Sequence, residues 1–136
     1  MAEAFVDTSF VIALVNRRDQ YHSQAVELAS RFDKRPLVTT DAVLLEIGNA
    51  LARNFKSDSI QIIEHFLTSE EIQIVNLNPE LFRRAFELYR SHLDKAWGLI
   101  DCISFIVMRD LSLSKALTAD QHFKQAGFNV LIGSQT

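Results

Sequence analysis

The alternation of short apolar segments with amphipathic stretches of helical period constrains the fold of this chain most strongly. β-prone residues occur in five short segments, at residues 4–6, 36–39, 72–75, 116–118 and 129–132. Between them, apolar side chains recur every three or four residues, as in helices with one buried face. Because parallel strands need crossover connections, this order predicts an α/β three-layer sandwich, in which helices flank a central parallel sheet of about five short strands.

Capping residues and apolar stripes predict where the helices lie. Thr40 or Asp41 caps the third helix, Pro79 opens the fifth, and Gly127 ends the last. The sixth is apolar almost all round, so we expect it to be buried. The predicted helices cover residues 10–15, 21–32, 41–54, 59–67, 79–92, 99–111 and 120–126.

Length and composition restrict the class of protein. The 136 residues, 48% of them hydrophobic, suit one domain over residues 1–136. The net charge of −3 excludes a generic basic coat for nucleic acid. No apolar run approaches the roughly 20 residues of a membrane span, and the N-terminus lacks the pattern of a signal peptide. With the single cysteine, Cys102, expected to be a packed thiol, we predict a cytoplasmic protein without membrane contact.

Four acidic residues stand at positions where parallel sheets bind ligands. Asp7 and Asp120 each follow a predicted strand, Asp101 opens the buried helix, and Glu46 borders an apolar stripe. Ligands of open parallel sheets bind beyond the carboxyl ends of the strands, where the strand order reverses. If the first and fourth strands are neighbours there, the carboxylates of Asp7 and Asp120 meet. Each acid alone also fits an ordinary role, as a helix cap or a boundary residue.

Asp101 favours a joint role for these acids. It is the only charged residue between Lys95 and Arg109. Burying it without compensation would cost several kcal/mol, and no cation lies within one helical turn of it. Several converging carboxylates would also repel one another. A divalent cation removes both problems, and a set of oxygen ligands favours Mg²⁺ or Mn²⁺.

Four motifs in this order resemble the PIN domain, and more narrowly the VapC-type ribonuclease toxins, over essentially the whole chain. They are Phe5-Val6-Asp7-Thr8-Ser9-Phe10, the Glu46 helix after Thr39-Thr40-Asp41, Trp97-Gly98-Leu99-Ile100-Asp101-Cys102-Ile103-Ser104-Phe105, and Leu117-Thr118-Ala119-Asp120-Gln121-His122-Phe123.

The resemblance implies a set of site residues. One or two Mg²⁺ or Mn²⁺ ions would be held by Asp7, Asp101 and Asp120, with Glu46 binding directly or through water; these four acids are the predicted catalytic residues. Ser9, Thr118 and Asp94 would support them. Relatives often carry Ser and Thr where this chain has Gly98 and Ile100, so a hydroxyl beside Asp101 is expected to be missing.

The resemblance also implies a function. It predicts a metal-dependent endoribonuclease that hydrolyses phosphodiester bonds in single-stranded RNA or tRNA, as the toxin of a type II toxin–antitoxin pair. The expected partners are the RNA substrate, an antitoxin protein and a second copy of the chain.

Other residues are assigned roles from their type and position in the sequence. The candidate RNA contacts are Arg53, Lys95 and Arg17. Trp97 and Phe123 are expected in the core, and solvated or capping roles are expected for His22, His65, His92 and His122.

Two other interpretations stay open at this point. A receiver-like signalling domain also gathers aspartates around magnesium, but it needs an early acidic doublet and an acceptor Asp after the central strand. Here the doublet is absent, and residues 72–75 lead into Asn76 and Asn78. The other interpretation is a catalytically inactive PIN-like module that binds RNA.

Overall fold

The computed structural model describes residues 1–133, in which seven helices flank a five-stranded sheet. The last residues of the predicted domain, 134–136, lie outside the described part. The strands are β1 (Ala4–Val6), β2 (Leu37–Thr40), β3 (Ile72–Val75), β4 (Lys115–Leu117) and β5 (Asn129–Val130). The helices are α1 (Thr8–Val15), α2 (His22–Arg31), α3 (Asp41–Leu51), α4 (Lys56–Thr68), α5 (Pro79–Arg90), α6 (Leu99–Asp110) and α7 (Gln121–Gln125).

The sheet is parallel throughout, with the order β3-β2-β1-β4-β5. The strand order therefore reverses between β1 and β4, where Phe5 pairs with Ala116 and Val6 with Leu117. One further backbone bond, from Asp7 N–H to Leu117 O at 3.1 Å, extends this pairing past the end of β1. The predicted α/β fold is confirmed, and β1 and β4 are neighbours at the switch point.

Several boundaries differ from the predicted ones. β2 begins at Leu37, because Pro36 has no N–H to give to the sheet. β5 covers only two residues of the predicted 129–132, although Leu131 and Ile132 still donate to Ala116 and Thr118. α4 starts at Lys56, three residues earlier than expected. These differences leave the order of elements unchanged.

Aromatic rings in the core fix α6 and α7 against β1. Phe105 meets Phe123 edge-on at 5.0 Å between centroids, and Phe123 lies 6.3 Å from Phe5. Trp97 packs against Phe105 and donates its Nε1–H to Gln125 Oε1 at 3.0 Å. The expected core positions of Trp97 and Phe123 are confirmed, since both are buried. These contacts hold the first turns of α6 and α7 beside the end of β1.

Cys102 is a buried free thiol, as expected. Burial, with the charge of Asp101 second, raises the pKa of this thiol to about 11. Across residues 1–133, no helix has the length and apolar character needed to cross a membrane.

Candidate metal centre

Three of the four predicted acids meet beyond the carboxyl ends of β1 and β4. Asp7 directly follows β1, Asp120 lies three residues after β4, and Asp101 stands in the first turn of α6. The charges of Asp101 and Asp120 both act on the carboxyl group of Asp7, and that of Asp120 acts on Asp101. The carboxyl group of Asp7 is therefore close enough to Asp101 and Asp120 for both charges to act on it.

Two hydroxyl groups hold Asp7 in place. Thr118 Oγ1 lies 2.8 Å from Asp7 Oδ2 and donates to it, while Ser9 Oγ lies 2.9 Å from Thr118 Oγ1. Ser9 Oγ accepts the N–H of Ala119, and Thr118 Oγ1 accepts the N–H of Asp120. Because the single hydroxyl proton of Thr118 goes to Asp7, Thr118 Oγ1 accepts from Ser9, and the hydroxyl protons point from Ser9 to Thr118 to Asp7. This hydroxyl chain ties the start of α1 to the segment after β4.

Asp101 is held by one backbone and one side-chain donor. Its Oδ2 accepts the N–H of Gly98 at 3.1 Å and lies 2.9 Å from His122 Nδ1. The same ring nitrogen is 3.4 Å from Asp120 Oδ1. The backbone N–H of His122 also donates to Asp120 Oδ1, at 2.9 Å. His122 thus bridges the two carboxylates.

Burial makes ionisation of this cluster costly in the absence of a cation. Burial raises the pKa of Asp7 to about 7; the Thr118 hydrogen bond opposes this shift, and the charges of Asp101 and Asp120 add to it. Burial likewise raises the pKa of Asp101, against the hydrogen bonds from Gly98 and His122. A bound divalent cation would favour the ionised form of both groups.

Glu46 lies at the edge of this cluster. It is half-buried on α3, and its Oε1 accepts a hydrogen bond from Thr8 Oγ1, the side chain that follows Asp7. Neither Glu46 nor Asp7 is among the residues whose donor atoms converge most closely. That group contains Asp101, Asp120 and His122, whose ligand atoms all lie within 4.8 Å of one another.

The capping interpretation of the acids is correct in part. Asp120 caps α7 through the His122 N–H, and Asp101 accepts from Gly98 before α6. Asp7 occupies the N-cap position of α1, yet its side chain makes no capping bond. Capping therefore accounts for two of the three carboxylates, and it explains neither the burial of Asp7 nor the convergence of Asp101 and Asp120.

The remaining predicted site residues are Asp94, Arg53, Lys95 and Arg17. Asp94 is exposed and pairs with the neighbouring Lys95 at 3.6 Å, rather than supporting Asp101. Arg53 is exposed beyond the end of α3. Arg17 follows α1, at the opposite end of that helix from Asp7, and lines a groove of about 1060 Å³ with Arg18 and residues from the start of α4. Within residues 1–133, no ion pair joins Arg53, Lys95 or Arg17 to the four acids.

Sequence reasoning missed His122. We expected a solvated or capping histidine, whereas its ring contacts Asp101 and Asp120. His122 lies on α7 and Asp101 on α6, so their contact is formed only when the two helices pack together. The sequence feature that could have indicated a role at the site is the position of His122 two residues after Asp120, inside the last motif.

The donor set fits a hard divalent cation. Carboxylate oxygens suit Mg²⁺ or Mn²⁺, and the buried Cys102 thiol is not in the converging group. The excess negative charge of three adjacent carboxylates supplies the attraction.

Comparisons with known proteins identify the family of the chain. The PIN domain family model matches residues 4–129. The 23S rRNA-specific endonuclease VapC20 of Mycobacterium tuberculosis is 31% identical over 125 residues, which cover 91% of this chain and 94% of that protein. The matches therefore extend over nearly the whole length of both chains.

Solved structures also match this chain over nearly its whole length. The crystal structure of M. tuberculosis VapC20, described as a sarcin-ricin loop cleaving toxin, matches with a TM-score of 0.86 and 27% identity, over 96% of this chain and 99% of that one. VapBC2 from Rickettsia felis, bound to a promoter DNA fragment, shares the fold with a TM-score of 0.63 and 14% identity, over 93% and 95% of the two chains. The same holds for FitAcB from Neisseria gonorrhoeae, with a TM-score of 0.62 and 13% identity over 93% and 95%. The chain belongs to the PIN domain family, and within it is similar to the VapC toxins.

Proposed function

We propose that this chain is a divalent-metal-dependent endoribonuclease, in which residues 1–136 form a single PIN-like nuclease domain. The observation that carries the proposal is the convergence of Asp101 and Asp120 beyond the β1–β4 switch point, with Asp7 near enough for their charges to act on it. Burial raises the pKa of Asp7 and of Asp101. A receiver-like domain is not favoured, since the matched family is a different one.

The cofactor is Mg²⁺ or Mn²⁺, as one or two ions. Asp7, Asp101 and Asp120 would hold it, with Glu46 as a direct or water-mediated ligand. When bound, the ion lowers the pKa of a water molecule and offsets the charge of the phosphodiester.

The chain's own residues orient the acids for this task. The Thr118 hydroxyl donates to one oxygen of Asp7, which leaves the other for a ligand. The Gly98 N–H fixes the orientation of Asp101 by donating to its Oδ2. Thr8 holds Glu46 against the start of α1. Preformed hydrogen bonds of this kind reduce the reorganisation needed when the substrate binds.

The substrate is RNA. The relative VapC20 is a 23S rRNA-specific endonuclease and a sarcin-ricin loop cleaving toxin. The candidate targets are therefore a ribosomal RNA loop, single-stranded RNA and tRNA. Arg17 and Arg53 are exposed cations that can contact RNA phosphates, and so can Lys95 once it leaves its exposed pair with Asp94.

The biological role is that of a cytoplasmic toxin controlled by an antitoxin. The structural neighbours include a VapBC complex from R. felis, and the free thiol of Cys102 suits a reducing compartment. An antitoxin segment would act by covering the acidic cluster.

Cleavage assays test the chemistry. Single-stranded RNA, tRNA and ribosomes are incubated with the protein and Mg²⁺ or Mn²⁺, and wild type is compared with Asp7→Asn and Asp101→Asn. We expect cleavage by wild type only, and Glu70→Gln, an exposed acid before β3, serves as the charge-matched control. Equal activity in wild type and both site variants would contradict the proposal. Calorimetry covers the inactive-module alternative, which requires that no metal binds at millimolar concentration.

Homodimerisation is part of the same proposal. Helix α5 exposes Phe82, Phe86 and Tyr89, and the rings of Phe86 and Tyr89 lie 6.4 Å apart. Clustered apolar side chains on one helix face are typical of a protein interface. Light scattering after gel filtration should give a dimer for wild type and a monomer for Phe86→Glu. An unchanged mass for that variant would place any interface elsewhere.

A further inference from the structure

The imidazole of His122 lies inside the carboxylate cluster and not on a solvated face. Its Nδ1 is 2.9 Å from Asp101 Oδ2 and 3.4 Å from Asp120 Oδ1. Two separate constraints place it there: its backbone N–H donates to Asp120, and the adjacent Phe123 is fully buried against Phe105. The ring therefore has little freedom to leave the cluster.

We propose that His122 Nδ1 is a direct ligand of the divalent ion, together with Asp101 and Asp120; this rests on the metal-dependent function proposed above. Neighbouring ligands around an ion with bonds of about 2.1 Å lie roughly 3 Å apart. The separations from Nδ1, 2.9 and 3.4 Å, are close to this spacing. The three donor atoms converge within 4.8 Å. The side chain of His122 remains 30% exposed, so an ion can reach it.

This assignment changes the character of the site. A set of carboxylate oxygens alone suits Mg²⁺, whereas an imidazole nitrogen favours Mn²⁺ and later transition metals over Mg²⁺. The competing role for His122 is a hydrogen bond that orients Asp101 without touching the ion. The two roles differ in one observable property, a bond between nitrogen and metal.

The other histidines of the chain serve as an internal comparison. His22 Nδ1 lies 2.8 Å from the carbonyl oxygen of Ala13, and His92 Nδ1 lies 3.0 Å from that of Leu88, so both are engaged with backbone. His65 is exposed on α4, with its ring beside Phe66. His65→Ala therefore removes an imidazole without touching the cluster.

Electron paramagnetic resonance of Mn²⁺ bound to the whole protein tests the assignment. We expect electron spin-echo modulation from a directly bonded ¹⁴N in wild type and in His65→Ala, and its loss in His122→Ala. The Mn²⁺ dissociation constant should rise about tenfold or more in His122→Ala, with a smaller change for Mg²⁺. His122→Asp supplies an oxygen donor at the same place, so it should bind Mn²⁺ without nitrogen modulation.

The outcomes separate this inference from the proposed function. Mn²⁺ bound by wild type without ¹⁴N modulation, or modulation that persists in His122→Ala, would overturn the His122 assignment and leave the nuclease proposal standing. No Mn²⁺ binding by wild type at millimolar concentration would overturn both. Thermal unfolding checks that His122→Ala is folded, and His122→Asp replaces it if it is not.

Discussion

Asp7 is the residue at which function and stability oppose each other. The residue is only 5% exposed, and burial raises the pKa of its carboxyl group to about 7. In an unfolded chain the same group ionises near pH 4. Between these values the folded chain holds one more proton than the unfolded chain. The stabilisation from this proton is therefore complete below about pH 4 and is lost as the pH rises through 7.

The first prediction concerns the stability of Asp7→Asn. Without metal at pH 8, this variant should be more stable than wild type by roughly 1–3 kcal/mol, because the Asn amide carries no charge that must be buried. The gain is limited because the amide lacks a full set of hydrogen-bond partners. At pH 4 the difference should largely vanish. Urea unfolding with a chelator at both pH values measures it, with Glu70→Gln as control. A variant less stable than wild type at pH 8 would show that the charge of Asp7 is compensated inside the protein.

The second prediction follows from the same pKa. Below about pH 7 a metal ion must displace the proton of Asp7, so the apparent metal dissociation constant should fall up to about tenfold per pH unit as the pH rises towards 7 and then level off. The raised pKa of Asp101 adds to this slope at lower pH. Calorimetric titration with Mn²⁺ in buffers of different ionisation enthalpy counts the released protons. In Asp7→Asn the proton released by Asp7 should be missing from the count.

At the level of single residues, the sequence predicted the acids better than their partners. Asp7 and Asp120 could be placed because each follows a strand, and strand ends share one edge of a parallel sheet. His122 could not, since its contact with Asp101 depends on how α7 packs on α6 through Phe123. Asp94, which the resemblance implied as a supporting residue, pairs with the neighbouring Lys95.

At the level of elements, the junction of β1 and β4 positions the site. The bond from Asp7 N–H to Leu117 O sets the register, and the hydroxyls of Ser9 and Thr118 then connect α1 with the segment before α7. Thr118 serves three groups at once, since it donates to Asp7 and accepts from Asp120 N–H and Ser9. Its hydroxyl is fully buried.

The third prediction is the effect of removing that hydroxyl. Thr118→Val keeps the shape of the side chain but leaves Asp7 without its donor, so stability should fall by about 1–3 kcal/mol and metal affinity by roughly 10- to 100-fold. Thr118→Ser keeps the hydroxyl and should retain metal affinity near that of wild type. Thermal unfolding and Mn²⁺ titration of both variants provide the measurements. Similar metal affinities for the two would show that the hydroxyl does not orient Asp7.

Element boundaries were predictable to the extent that they depend on local residues. Residues 4–6 and 72–75 were predicted as strands exactly where they lie, because each is a short β-prone run between polar residues. The strand order β3-β2-β1-β4-β5 depends on packing across the whole sheet, and only the general rule for parallel sheets indicated that β1 and β4 would meet. The short β5 also depends on its neighbour, since its pairing with β4 covers two residues.

For the whole molecule, the net charge of −3 depends on the acidic cluster. Without Asp7, Glu46, Asp101 and Asp120, the 17 acidic residues become 13, against 14 Lys and Arg. The rest of the molecule is thus close to neutral and slightly basic. The local negative charge would repel RNA phosphates until a divalent ion neutralises it.

The last prediction tests this electrostatic interpretation. In the presence of a chelator, Asp101→Asn should bind a labelled single-stranded RNA roughly two- to fivefold more tightly than wild type, because it removes one negative charge where the phosphate must lie. Glu70→Gln makes the same change in net charge at an exposed turn before β3, remote from the carboxylates, and should bind like wild type. Fluorescence anisotropy at about 0.1 M salt measures all three affinities, and the gain should shrink at higher salt as the charges are screened. Equal gains in the two variants would mean that RNA responds to net charge alone, whereas a gain confined to Asp101→Asn places the phosphate at the carboxylate cluster.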